Sequence, residues 1–425
     1  MMTEYKNDLD FASELDKQDE LKEYRQLFHI PKMDGKDVIY LCGNSLGLQP
    51  KSVRAYIETE LKDWETLGVE GHFHGTNPWL SYHKMFAEPV SRLVGAKPAE
   101  VVVMNTLTTN LHLMMVSFYR PTQTRFKILT EFSPFPSDSY AFESQTKFHG
   151  YDPEKAIIEL RPKEGEYILR TEDIIAEINK HQDELALVLL GGVNYYTGQA
   201  FDIEAITKAG HEAGALVGFD LAHAAGNLLL NLHDWNVDFA AWCGYKYLNS
   251  GPGGVSGVFV HEKWANSPSI PRFAGWWGYD EATRFQMKKG FKPAYGAEGW
   301  QLSNAQILPM AAHKASLDIF DKAGMPTLNA KSQLLTAFLE FLIKDNMQKR
   351  GEESYNIITP SDPKDRGAQL SIIAAKNGKE IFNKLTKRGV IADWREPDVI
   401  RVAPVPLYNT FTDVWRFAKL LDEAV

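Results

Sequence analysis

The chain has 425 residues, 44% hydrophobic and 24% charged, with a net charge of −9; it carries apolar material for a large core, and acids spread along its length argue against nucleic acid as a partner. No run of about 18 apolar residues offers a membrane span, and the acidic start MMTEYKNDLDFASELDKQDE lacks the basic-then-apolar plan of a signal peptide. Two cysteines, Cys42 and Cys243, sit in neither a CxxC nor a zinc spacing, so the expectation is a reduced, cytoplasmic protein of roughly two or three domains.

Residues 52–68, SVRAYIETELKDWETLG, put Val53, Tyr56, Ile57, Leu61 and Trp64 on one helical stripe ending at Gly68. An aromatic and histidine-rich loop follows, GHFHGTNPW, and then a second helical pattern around 80–94. From about residue 100 the texture changes. Apolar runs at 101–104 (VVVM), 126–130 (FKILT), 185–190 (LALVLL), 215–220 (ALVGFD) and 238–243 (DFAAWC) alternate with segments of helical period. Runs without in–out alternation predict strands buried on both faces, as in a parallel sheet covered by helices. Beyond about 310 a helical stretch leads into AQLSIIA, a helix around 378–388, GVIADW, VIRVAP and a closing helix, the rhythm of a smaller α+β domain. The expected division is an N-terminal helical segment over 1–75 that packs with the small domain and lines the site, a large α/β domain over 76–310, and a small domain over 311–425.

In open α/β sheets ligands gather at the carboxyl ends of the strands. Two strand ends here carry charge: LVGFDLAHAAGN ends its strand in Asp220, with His223 three residues on, and DFAAWCGYKY leads to Lys246. The interval between them suits one helix-containing crossover, which brings both groups to one crevice. Asp220 alone reads equally as an N-cap of a following helix, and Lys246 as a lysine snorkelling from a strand end. As a pair they suggest more. A desolvated lysine is a nucleophile toward carbonyls and holds an aldehyde as an imine. Pyridoxal phosphate needs that lysine, an acid on its pyridine nitrogen and a phosphate cradle.

VVMNTLTTNLHLMMVSF supplies a strand and then a helix start with Thr106, Thr108 and Thr109, hydroxyls that read as N-caps or as phosphate donors. GPGGVSG lacks the GxGxxG spacing and no Walker sequence is present, so nicotinamide and nucleoside-triphosphate readings lose ground. In EFSPFPSD, Phe135 can stack on a ring and Asp138 reach its polar edge, or the stretch is a proline-shaped turn. Arg401 lies on an apolar strand in VIRVAPVPLYN, either salt-bridged or a two-pronged fork for an α-carboxylate. His72 and His74 invite a metal reading, but no third and fourth ligand accompanies them, and no metal is expected.

Nine motifs in chain order now carry a resemblance: GNSLGLQP (43–50), MNTLTTNLH (104–112), FPSD (135–138), YYTGQ (195–199), FDLAHAAGN (219–227), WCGYKYLNSGPGG (242–254), GWWGYD (275–280), LSNAQI (302–307) and RVAPVPLYN (401–409). Each is weak alone; together they resemble the kynureninase family over nearly the whole chain. The resemblance implies a pyridoxal-phosphate enzyme of the aspartate-aminotransferase fold, called fold type I. That fold has a large domain with a mainly parallel seven-stranded sheet between helices, and a smaller α+β domain. It implies hydrolytic Cβ–Cγ cleavage of L-kynurenine and L-3-hydroxykynurenine to anthranilate or 3-hydroxyanthranilate plus L-alanine, in tryptophan degradation and NAD synthesis.

By the same resemblance Lys246 forms the Schiff base, Asp220 binds the pyridine nitrogen, and Phe135 stacks on the ring. Pro136, Ser137, Asp138 and His223 lie beside the cofactor. Leu107, Thr108 and Tyr245 serve its phosphate, and Tyr245 is a candidate proton donor. Trp276 and Asn304 reach in from the partner of a homodimer with shared sites. Arg401 takes the substrate carboxylate, while Ser45, His72 and Asn304 surround its aromatic ring, an arrangement that favours the hydroxylated substrate. Gly191, in LLGGVNYYTGQ, departs from the Ser or Thr that the family places there as a cofactor contact. The rivals are a class V aminotransferase, a cysteine desulfurase, for which no cysteine follows Cys243 to serve as a mobile thiol, and a pyridoxal-binding protein without turnover.

Overall fold

The computed structural model describes residues 4–265, 267 and 270–425. The chain starts with helix α1 (Leu9–Gln18), capped by the Asp8 carboxylate on the Phe11 N–H. Helix α2 (Val53–Leu67) ends where Gly68 takes a positive φ of 55°. The expected apolar stripe of α2 is only partly the buried one. Leu61 and Trp64 are exposed, and the buried face carries Val53, Glu60 and Asp63. The two acids are spoken for. Glu60 accepts from Asn77, Trp79 and Tyr82, and Asp63 caps the Thr76 N–H, so α2 serves as the anchor of the 71–79 loop. The pattern around 80–94 is a 3₁₀ stretch, Trp79–Phe86, before a helix over Ala87–Val94.

Seven strands form the main sheet: β1 (Val101–Met104), β2 (Lys127–Glu131), β3 (Ile157–Leu160), β4 (Leu185–Gly191), β5 (Leu216–Asp220), β6 (Phe239–Cys243) and β7 (Ser256–Val260). The five runs marked in the sequence are among them. β3 and β7 are additions: β3, IIEL, is a short, half-exposed edge strand, and β7 follows the glycine loop. Their order is β1-β7-β6-β5-β4-β2-β3, and every pairing is parallel except those of β7. The middle strands are buried on both faces. Helix α3 (Leu107–Phe118) follows β1 and α4 (Pro136–Phe148) follows β2. The connection from β5 to β6 contains turns and no helix over 221–238, which corrects the expected helical crossover. The parallel pairing itself holds, with Asp220 opposite Ala241.

Helix α5 (Ile307–Ala323) packs along α2, and α6 (Met325–Arg350) leads into a four-stranded antiparallel sheet. Its strands are β8 (Tyr355–Ile357), β9 (Leu370–Ala374), β10 (Asp393–Arg395) and β11 (Val399–Val402), ordered β8-β9-β11-β10. Helix α7 (Phe411–Asp422) closes the chain with a Thr410/Asp413 capping box. Ala12, Ile39 and Leu41 of the N-terminal segment pack into the same apolar core as Leu339, Ile372, Ile400 and Phe417. That segment then runs to Gly47, whose N–H donates to the Tyr245 carbonyl at 2.9 Å. A Cβ at 47 would stand 2.2 Å from Asn249 Oδ1 and 2.3 Å from the Lys246 carbonyl oxygen, so only glycine allows the strap to lie on the lysine turn.

Candidate active site

The carboxyl ends of β2, β4, β5 and β6 lie side by side, and the last residues of β2, β4 and β5 and the turn after β6 open onto one cavity of about 270 Å³. Its walls include Glu131, Gly191, Asp220 and Lys246, with His223 and Tyr245 beside them and Leu107, Thr108, Phe135, Ser137 and Asp138 from the two helix starts. Lys246 is 8% exposed, and its Nζ lies 3.0 Å from His223 Nε2. Burial and then the charge of Lys246 hold His223 well below the usual imidazole range. The ring is therefore neutral, and Nε2 accepts from the lysine. His223 Nδ1 is buried with no hydrogen-bond partner.

Three buried carboxyls face this one lysine. Burial, with Asp220 and Glu131 nearby, raises Asp138 well above the carboxylate range, so Asp138 keeps its proton and donates to Asp220. Burial raises Asp220 too, but the Ala222 N–H at 2.7 Å, the Lys246 charge and the Asp138 proton all favour its ionised form. The N-cap alternative for Asp220 fails, since no helix follows it and its contact is a tight local turn. Burial pushes Glu131 up to about 7, against the Gly191 N–H that donates to its Oε2 at 2.7 Å. Burial also raises the Tyr245 hydroxyl, which stays protonated at neutral pH.

The start of α3 supplies the cradle. Thr106 occupies the N-cap position with no side-chain cap, leaving first-turn N–H groups toward the cavity. The Thr108 and Ser137 hydroxyls meet at 2.7 Å across the two helix starts. The alternative reading of FPSD as a bare turn gives way to a helix start: Phe135 is the N-cap of α4 and Pro136 its first residue. The Phe135 ring stands over the cavity with its centroid 5.6 Å from Lys246 Nζ. An uncapped helix start, a buried amine, a pair of buried acids with a proton between them, and an aromatic wall fit pyridoxal phosphate in charge and donor type.

Six expected residues do not line this cavity within one chain, the first being Pro136, the opening residue of α4 between the lining residues Phe135 and Ser137. Arg401 stands behind the cavity: Nη1 donates to the Tyr195 carbonyl at 2.7 Å, and Tyr195 is a cavity wall. Nε and Nη2 of Arg401 pair with both oxygens of Asp393 at 3.2 and 2.8 Å. Ser45 lies on the strap that Gly47 pins to Tyr245. His72 sits on the 71–79 loop, its Nδ1 3.0 Å from the Val69 carbonyl and its ring edge-on to Trp79. Trp276 and Asn304 lie exposed on the 271–306 segment. His72 and His74 form no metal-ligand group. Among the described residues the one such grouping is Glu100, His233 and His261, where Glu100 Oε1 already accepts from His233 Nδ1 and from the Glu262 N–H. Sequence reasoning missed Glu131, Tyr195 and Asp393. Glu131 bore the signal of Asp220, an acid closing an apolar run; Tyr195 opens the YYTGQ motif, which carried no role for it, and Asp393 bore no signal.

A class-V aminotransferase family model matches residues 39–359, and a kynureninase C-terminal domain model matches residues 328–421. A kynureninase of Myxococcus xanthus is 59% identical over 97% of this chain and 96% of its own length. One of Flavobacterium psychrophilum is 55% identical over 99% of both. The chain belongs to the kynureninase family. Members are found as far afield as the animal Nematostella vectensis, whose kynureninase is 50% identical over 98% of this chain and 93% of its own. As a kynureninase-family enzyme it is a pyridoxal-phosphate-dependent hydrolase acting on a carbon–carbon bond. Solved structures share the fold. The cysteine desulfurase CsdA from Escherichia coli has a TM-score of 0.74 at 17% identity, covering 95% of this chain and 98% of that one. A C-DES mutant with glycine covalently linked to its PLP cofactor has a TM-score of 0.73 at 16% identity, covering 91% and 96%. No helix of the described residues is long and apolar enough to cross a membrane.

Proposed function

We propose that this chain cleaves the Cβ–Cγ bond of L-kynurenine and its 3-hydroxy derivative with Lys246 as proton carrier, in a cytoplasmic homodimer. The observation that carries the reading is the cavity in which Lys246 Nζ, neutral His223 and the Asp138–Asp220 pair converge at the strand ends. Pyridoxal phosphate, when bound, supplies the electron sink that stabilises negative charge at the substrate Cα. Asp220, with the Asp138 proton beside it, would take its ring nitrogen. The uncapped start of α3, Thr108 and Tyr245 would hold its phosphate. Phe135 would stack on its ring.

Lys246 would take the Cα proton; His223, neutral at 3.0 Å, accepts from the lysine and keeps it aimed. Tyr245, held in its protonated form by burial, gives a proton as the hydrated ketone collapses and the anthranilate product leaves. Arg401 holds the substrate carboxylate. Asn304 and Trp276, exposed in their own chain, complete the partner's site, and the exposed Phe273, Phe285 and Tyr295 on the same segment support an apolar docking face. With Nδ1 of His72 engaged by Val69, its Nε2 has no hydrogen-bond partner among the described residues and is open to the substrate's 3-hydroxyl, which supports a preference for 3-hydroxykynurenine.

The test is turnover followed by product fluorescence with both substrates. The expected result is product from both, with the higher kcat/KM for 3-hydroxykynurenine. Tyr245→Phe should lower kcat about a hundredfold, the usual worth of a proton donor. Unchanged turnover in that variant would remove Tyr245 from the scheme, and equal kcat/KM for the two substrates would remove the preference.

A further inference from the structure

Arg401 is paired in this fold before any substrate arrives. Asp393 and Arg401 stand directly opposite each other on β10 and β11, and Asp393 takes the Nε and Nη2 side of the guanidinium. Tyr195 takes one Nη1 hydrogen. Arg401 is 2% exposed, so the pair it makes with Asp393 is a buried and formally neutral unit. A second carboxylate brought against a neutral buried pair remains an uncompensated charge, the costly case in a low-dielectric site.

The same strand supplies the missing charge. Arg395, two residues along β10 and on the same face as Asp393, reaches Asp393 Oδ2 with Nη2 at 3.2 Å. One carboxylate is thus shared by two guanidiniums, and the triad carries a net positive charge. Arg395 Nε is buried without a partner. Its side chain is one-third exposed, and its guanidinium carbon lies 5.9 Å from the ring centroid of Tyr195, the wall of the cofactor cavity. The other charged groups of this hairpin are engaged elsewhere: Glu396 accepts from Trp394 and Asp398 from Tyr196. The field of Arg395 is felt inside the cavity, where it joins Lys246 and Arg401 in lowering the proton affinity of His223.

We propose that Arg395 is a second binding residue for the substrate α-carboxylate, supplying the net charge that the Arg401–Asp393 pair lacks and an unpartnered Nε–H, with Asp393 holding both arginines in place. This inference rests on the reading of Arg401 as the carboxylate site.

The test uses the holoenzyme and three ligands: L-kynurenine, L-alanine, and the carboxylate-free amine that decarboxylated kynurenine would be. Binding of alanine and of the amine is read from the cofactor absorbance. Arg395→Gln should raise the alanine Kd and the kynurenine KM together by about tenfold or more, and leave the amine's Kd within twofold of wild type. Arg395→Lys, which restores the charge without the fork, should recover part of the alanine affinity. An alanine Kd unchanged in Arg395→Gln would overturn the proposal. So would equal losses for alanine and for the amine, the mark of a merely structural residue. Alanine needs no ring and no cleavage to report. A wild-type enzyme that bound alanine but left kynurenine intact would sink the proposed substrate, and the alanine comparison would still decide the role of Arg395.

Discussion

At the scale of single residues, Glu131 and Gly191 explain each other. A Cβ at 191 would stand 3.1 Å from Glu131 Oε1, so the bare glycine leaves room for that carboxyl to lie against the end of β4 and take the Gly191 N–H. The acid is raised to about 7, above its unfolded value, so its neutral form is the one the fold favours. Stability from this group is therefore fully present below about pH 4.5 and is lost as pH rises through about 7. Glu131→Gln, which keeps the shape and cannot ionise, should be more stable than wild type at pH 8, by up to about 3 kcal/mol before pyridoxal phosphate is added. The advantage should vanish near pH 4.5. Urea unfolding midpoints across that range check it, and an advantage independent of pH would refute the assignment of a titrating Glu131. The sequence held this residue in plain view, yet the apolar run FKILT was closed one position before it. Asp220 was found because a motif followed it; Glu131 and Asp393 were not, because a lone acid at a strand end becomes a site residue only through neighbours brought by the fold.

At the scale of elements, strands were more legible than helices. A strand buried on both faces has no alternation to hide, and five runs announced themselves by β-branched and apolar content alone. Helix α2 misled because its buried face is partly acidic: Glu60 and Asp63 are paid in hydrogen bonds from a loop whose position no periodicity encodes. Helix α5 hides a similar polar residue. His313 is 1% exposed, stacked near Phe86, with Nδ1 lacking a partner, and burial holds it down to about 3. Its folded value lies below the unfolded value of about 6.5, so the unfolded chain takes up the proton first. Stability is complete above about pH 6.5 and falls by about 1.4 kcal/mol per unit as the pH drops toward 3. His313→Leu removes this proton and should flatten the acid limb, narrowing the gap between pH 7 and pH 5 by about 2 kcal/mol in denaturant unfolding. A gap as wide as that of wild type would mean that another group carries the acid sensitivity.

At the scale of the molecule, the chain presents a cofactor cavity at the strand ends and, apart from it, a segment over 271–306 that exposes several aromatic side chains. Lys246, Asp220, His223 and Phe135 come from one chain and meet in the cavity. Trp276 and Asn304 lie exposed on a segment rich in exposed aromatic side chains, and neither is among the residues that line that cavity. The two-fold dimer proposed above would account for both, with the 271–306 segment of each chain set over the partner's cavity, as a self-complementary interface allows. Composition and periodicity had no access to this, because a residue that works on another copy leaves no pattern in its own chain; only the resemblance of LSNAQI and GWWGYD to the family pointed to it. The consequence is measurable without a dimer structure. Lys246→Ala and Asn304→Ala should each be nearly inactive alone, because each homodimer spoils both sites. Unfolded together and refolded in equal amounts, they should give heterodimers with one intact site, built from the lysine of one chain and the asparagine of the other. Half the dimers then carry one good site of two, and the mixture should regain about a quarter of wild-type activity. Recovery that grows with mixing and disappears when either variant is refolded alone would place Asn304 across the interface. No recovery, with dimers present by light scattering, would return Asn304 to its own chain's site.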